Sequence, residues 1–196
     1  MSLSSTTCSA LAGTGANLPV MTNAADLLLR AVEAKQQGRL GEASQHVLRA
    51  ISLLREKPPG IELAKALRLL AELERKLHDK AAALQHYQEA VILCRSHGDP
   101  LMLAHTVRHL GDVYQDAAQP ELAEPCYREA LELYRTHRDT TPLDLANAIR
   151  SMAVLKAAVG EIEQARSLWQ QARDLYSQVN VSEGVAEASV RIAQLT

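Results

Sequence analysis

From about residue 22 onward, hydrophobic residues recur at i, i+3, i+4 and i+7 in run after run. That is the periodicity of a helix buried along one face. Short turn-forming stretches interrupt the runs at "QQGRLGE", "LHDK", "AAQPE" and "VGEIE". Longer connectors, "KPPG", "SHGDP", "HRDTTP" and "VNVSEG", separate one pair of runs from the next. Asp99-Pro100 and Thr141-Pro142 have the form of an N-cap followed by proline at the first helical position. The pattern predicts antiparallel helix pairs in an all-α chain.

The pairs repeat. The segment "HLGDVYQDAAQPELAEPCYREALELY" contains Leu110-Gly111, Ala123, Tyr127 and Ala130. Forty residues earlier stand Leu70-Ala71, Ala83, Tyr87 and Ala90, and 42 residues later Met152-Ala153, Ala165, Trp169 and Ala172. Ala43, Val47 and Ala50 continue the series toward the N-terminus. A fixed period in this range marks a stacked repeat, and the helical content of each unit makes it a solenoid. The small residues are expected where two helices approach closely, and the aromatic where one pair meets the next. Units are expected near 24–60, 61–98, 99–140 and 142–181. A last amphipathic helix over 182–195, with Val185, Ala188, Ile192 and Leu195 on one stripe, is expected to cap the stack. Pro125 falls inside a predicted helix and is expected either to kink it or to sit within its first turns.

These positions resemble the tetratricopeptide repeat over roughly residues 22–196, most closely between Ala104 and Tyr134. The period is longer than that family's usual ~34 residues and is similar to the long repeats of kinesin light chains. The first unit departs most, with Arg30-Ala31 in place of Leu-Gly and Val47 in place of the aromatic. The resemblance implies a right-handed α–α superhelix of four hairpins plus a capping helix. It also implies a concave groove, lined by the first helix of each unit, that binds peptides or partner helices. The competing architecture is another α-solenoid, such as a HEAT-like array.

Composition narrows the function. Hydrophobic residues make up 47% of the 196, yet aromatics only 3% and Phe is absent, so Ala and Leu must supply the packing. A net charge of -2 argues against nucleic acid held by bulk charge. No stretch reaches the ~18 apolar residues of a membrane span. Residues 1–21 are rich in Ser, Thr and Gly and lack a signal-peptide pattern; a disordered tail is expected there, with Met21 as an alternative start. Cys8, Cys94 and Cys126 are scattered, which suits a reducing cytoplasm better than a disulfide framework. The sequence contains no phosphate loop, nucleophile elbow or paired carboxylates in a catalytic context, so neither an enzyme nor a cofactor is expected.

The candidate chemistry is a ladder of arginines. Four residues after the leading Ala of the second, third and fourth units stand Arg68, Arg108 and Arg150. Lys65, Arg75 and Lys76, then His105 and His109, then Asn147 and Ser151 share their faces, and Arg191 extends the stripe. Arginine forks suit carboxylates and phosphates. The expectation is a basic groove for an extended acidic segment of another protein, with Arg68, Arg108 and Arg150 as the anion contacts. Against it stands a merely solvated face: Arg68 has Glu72 and Arg108 has Asp112 at i+4, pairs that solubilise helices, whereas Arg150 has Val154 there. His105 and His109, one turn apart, are expected to line the groove rather than bind metal, and to make it more basic below about pH 6.5. The competing function is self-association through the ends of the stack as a homodimer, with the ragged first unit the favoured end.

Overall fold

The computed structural model describes residues 23–97 and 99–195. The proposed tail, including Cys8 and Met21, lies outside them. The described residues form nine helices and no strand: α1 (Ala24–Gln36), α2 (Leu40–Arg55), α3 (Ile61–Lys76), α4 (Lys80–His97), α5 (Pro100–Asp116), α6 (Pro120–Thr136), α7 (Pro142–Ala158), α8 (Ile162–Gln178) and α9 (Ser182–Gln194). Each helix packs on the next. The pairs α1/α2, α3/α4, α5/α6 and α7/α8 are hairpins, and α9 closes on α8. Among the described residues the array is therefore four helical hairpins and a final helix.

Local chemistry sets the helix ends. The side chains of Asn23, Asp99 and Thr141 accept from the backbone N–H three residues on, at 2.9, 2.9 and 3.1 Å. Pro100 and Pro142 occupy the first turns that follow two of these caps. Each hairpin turn passes through one left-handed residue: Gly38, His78, Ala118 and Gly160, with φ of 74°, 65°, 55° and 83°. They recur at the repeat period. Each is followed by an N–H that reaches back five residues, as in Arg39 to Ala34, Asp79 to Glu74, Gln119 to Tyr114 and Glu161 to Lys156, all at 2.9 Å. Two of the four turns thus hold a non-glycine residue where glycine is favoured. Pro125 lies in the second turn of α6, and the helix runs on unbroken.

The packing residues are those of the repeat. Ala43, Ala83, Ala123 and Ala165, and likewise Ala50, Ala90, Ala130 and Ala172, are fully buried, as are Val47, Tyr87, Tyr127 and Trp169. At Gly111 a Cβ would stand 2.7 Å from Tyr127 Cε1, so the small residue there is required by the ring beside it. Gly184 meets the Tyr176 ring even more closely, at 2.5 Å. Successive odd-numbered helices also touch across the hairpins, α3 with α5 and α5 with α7, and no two even-numbered helices do so to that extent. The odd-numbered helices therefore form the inner face and the even-numbered helices the outer one.

Candidate functional site

The inner face is built from α3, α5, α7 and α9, and all eight candidate residues lie on these helices. Its centre is a residue that the ladder of arginines did not single out. Asp112, nearly buried on α5, accepts from four helices. Its Oδ1 takes the Tyr127 hydroxyl at 2.9 Å and the Ser151 hydroxyl at 3.2 Å. Its Oδ2 faces His109 Nδ1 at 3.1 Å, Arg108 Nη1 at 3.5 Å and Arg75 Nη1 at 3.6 Å. Burial raises its pKa, but the bonded His109 and the Arg108 and Arg75 charges outweigh that and hold it down at about 2. One carboxylate thus ties α3, α5, α6 and α7 together.

The arginines differ from one another. Arg108 runs along α5 to Asp112, and its Nη2 lies 2.8 Å from His109 Nε2. Arg150 does have a partner, though not on its own helix: Glu187 of α9 takes its Nε and Nη2, each at 2.7 Å. Arg68 pairs with no carboxylate among the described residues. The i+4 candidate, Glu72, turns instead to Lys35 at 2.7 Å and Lys76 at 3.3 Å. Lys65 pairs with Glu62 at 2.9 Å, and Asn147 accepts the Tyr176 hydroxyl at 2.8 Å. Arg191 is exposed and lines a hollow of about 240 Å³ with Arg75, Asp112, Arg150 and Glu187.

The expected basic stripe is in fact mixed. Glu72, Asp112, Asp116 and Glu187 interleave with the cations, and Arg75 reaches Asp116 at 2.6 Å. Most of these carboxylates come from a neighbouring hairpin, beyond the reach of an i+4 search. The expectation for the histidines also fails. His105 and His109 stack edge to face with centroids 4.6 Å apart. Burial, the neighbouring His109 and the charges of Arg68 and Arg108 push His105 down to about 2. Burial likewise lowers His109. Arg108 can only donate, so His109 Nε2 accepts and its Nδ1–H points at Asp112. Both rings are neutral near pH 6.5, and protonation there does not make the face more basic. Among the described residues no three His, Cys, Asp or Glu side chains gather as a metal-ligand set.

Three donors on this face have no acceptor within the protein. They are Arg68 Nε, Arg108 Nε and the Tyr87 hydroxyl, all shielded from solvent. The Tyr87 ring stacks on His109 at 6.0 Å, and the Arg68 charge acts on Tyr87, His105 and His109 alike, so the three share one region.

Residues 62–136 match the tetratricopeptide repeat family. No curated protein sequence matches the chain. Several solved structures share its fold. BtubC (BKLC) from P. vanneervenii aligns with a TM-score of 0.74 at 18% identity, over 87% of this chain and 70% of its own. Aspartyl phosphate phosphatase F from Bacillus subtilis aligns at 0.79 with 15% identity, over 88% and 45%. A Rap protein complexed with competence and sporulation factor aligns at 0.77 with 17% identity, over 91% and 50%. The chain thus spans half or less of the latter two proteins. At such identities the likeness is one of fold. Residues 62–136 thus match the tetratricopeptide repeat, the hairpins on either side keep the same packing positions, and the described residues form a tetratricopeptide-like α-solenoid.

Proposed function

We propose that the protein is a non-catalytic interaction scaffold whose inner face holds an extended, acidic segment of another protein. The observation that supports this is the cluster of donors without acceptors at Arg68, Tyr87 and Arg108. A buried donor left unpaired costs about 1–3 kcal/mol, which a ligand bringing acceptors recovers. Arg68, with no carboxylate of its own, is the principal anion contact, and Arg108 is the second. Lys65 and Arg191 flank the segment, His105 and Asn147 serve its backbone, and His109, both ring nitrogens already engaged, orients Arg108. Arg150 contributes by exchanging Glu187 for a ligand carboxylate. The unpaired thiols of Cys94 and Cys126 suit the cytoplasm as its compartment. No described helix is long and apolar enough to cross a membrane.

The test is an array of acidic and neutral peptides probed with the wild type and with Arg68→Glu, which disturbs no ion pair. Acidic peptides that bind the wild type about tenfold more tightly than the variant support the proposal. Equal binding, or no preference for acidic peptides, overturns it. A second reading, self-association, is favoured by one observation: Leu29 and Val32 of α1 and Leu48 of α2 are exposed on the first hairpin. Light scattering across a concentration series decides it, because Leu29→Glu abolishes a dimer formed through that end and leaves a monomer unchanged.

A further inference from the structure

On the outer face, one junction between hairpins departs from the other two. The α2–α4 junction is bridged by Arg55, whose Nη2 donates to both Glu89 oxygens at 2.8 and 3.0 Å. Forty residues on, Arg95 bridges α4 to Glu129 of α6 in the same way, at 2.8 and 2.9 Å. At the α6–α8 junction the same positions hold Arg135 and Gln171. The arginine recurs and its carboxylate does not. Gln171 turns back to Ser167 on its own helix at 3.5 Å, and Arg135, exposed, has no ion pair among the described residues.

A second tie differs at the same place. Between α4 and α5, Gln88 donates to the Tyr114 hydroxyl at 3.1 Å. The corresponding residues of the next unit are Arg128 and Lys156, two cations that cannot bond each other. Both turn to Glu124, at 2.7 and 3.1 Å, and Lys156 also to Glu161 at 3.0 Å. Lys156 thus still bridges α7 to α6, but α6 and α8 lack their ion pair, and a groove of about 630 Å³ lies between them. Its floor is Leu131, Met152 and Leu168, and the stems of Arg128, Arg135 and Lys156 extend that apolar surface.

We propose that this outer groove is a second docking site, for an amphipathic segment of a partner protein that supplies the carboxylate the repeat omits. Its apolar side chains rest on Leu131, Met152 and Leu168, and its Asp or Glu takes the fork of Arg135, as Glu89 and Glu129 do for the two preceding arginines. Glu124 is already held by Arg128 and Lys156, and Glu163 by Arg166. Glu132, one turn before Arg135, is unpaired among the described residues and selects a segment with a basic residue beside its acid. The partner contact mimics an ion pair that the chain makes twice within itself, which fixes both its chemistry and its register.

The test uses a random peptide display library. Selection is made on the wild type after subtraction on Gln171→Glu, a surface change that restores the missing carboxylate and closes the groove. The expected survivors carry an acid next to apolar residues and bind Arg135→Glu at least about tenfold more weakly than the wild type. They bind Arg68→Glu as well as they bind the wild type, which separates this groove from the inner face. If subtraction leaves nothing above background, or if the survivors are indifferent to Arg135→Glu, the proposal is overturned. Circular dichroism of each variant verifies an unchanged helical fold before binding is compared.

Discussion

Replacing Asp112 tests the electrostatic account of the inner face most directly. Asp112→Ala leaves His109 Nδ1–H, the Ser151 hydroxyl and the near sides of Arg108 and Arg75 without their acceptor. The Tyr127 hydroxyl retains Gln115 at 2.9 Å. Breaking one side of a buried ion pair costs about 3–5 kcal/mol, so the alanine variant should fall in that range. Asp112→Asn keeps an oxygen for Tyr127 and Ser151, removes the charge, and sets an amide donor where Oδ2 faced His109, Arg108 and Arg75. A folded-state value of about 2 against the ordinary 3.8 corresponds to about 2 kcal/mol, at about 1.4 kcal/mol per pH unit. The carboxylate is depressed, so this contribution is complete above about pH 4 and disappears as the pH falls through 2. Urea denaturation followed by circular dichroism should therefore show the asparagine variant about 2 kcal/mol less stable than the wild type from pH 7 to 5. The gap should narrow steadily below pH 4. A gap under about 0.5 kcal/mol at neutral pH, or one that persists unchanged to pH 2, would refute the claim that Asp112 is a charged hub.

Ala118→Gly, at a left-handed turn position that glycine occupies in the first and fourth hairpins, should stabilise the protein by about 0.5–1 kcal/mol in the same denaturation assay. Gly111→Ala should destabilise it by about 1–3 kcal/mol, because the added methyl meets the Tyr127 ring at 2.7 Å; Tyr127→Leu in the same background should recover part of the loss. The ring resonances of His105 should stay flat between about pH 8 and 5, and those of His109 should titrate below the ordinary 6.5, since burial disfavours the charge on both. Both values are lowered, so each ring's contribution to stability is complete above the unfolded value of about 6.5 and declines as the pH falls below it. A midpoint near pH 6.5 for either ring would show that it is solvated.

The solenoid was legible because its determinants are local and repeated. The period placed Ala83, Tyr87 and Ala90, and their counterparts 40 to 42 residues away, in the core, and the Asp-Pro and Thr-Pro pairs placed two helix starts. The site was legible only in part. Arg68, Arg108 and Arg150 were found because they recur, but their partners do not follow from spacing along one helix. Glu187 reaches Arg150 from 37 residues away, and Glu72 prefers Lys35, also 37 residues away, over Arg68 at i+4. The histidines were misjudged because burial and the neighbours brought by other helices, Tyr87 of α4 and the Arg68 charge of α3, decide their charge. His78 and Ala118 concealed two left-handed turns that a search for glycine alone would miss.

A repeat protein makes each position comparable with its own counterparts, and that comparison separates packing from specialisation. Where the four hairpins agree, as at the buried alanines, the residue serves the stack and its replacement should be read in stability. Where they disagree at the surface, stability gives no reason for the change. Asp112 stands in register with Glu72 and Val154, and only at Asp112 does the carboxylate gather donors from four helices. Gln171 stands in register with Glu89 and Glu129, and only there is a cross-junction ion pair given up, at a cost to the stack of no more than about 1 kcal/mol for an exposed pair. So small a cost is easily tolerated. It also leaves the Arg135 guanidinium unengaged beside an open groove, at the repeat position from which Arg55 and Arg95 each hold a carboxylate. The irregularities of the repeat therefore fall on one inner and one outer surface, the two faces proposed for docking.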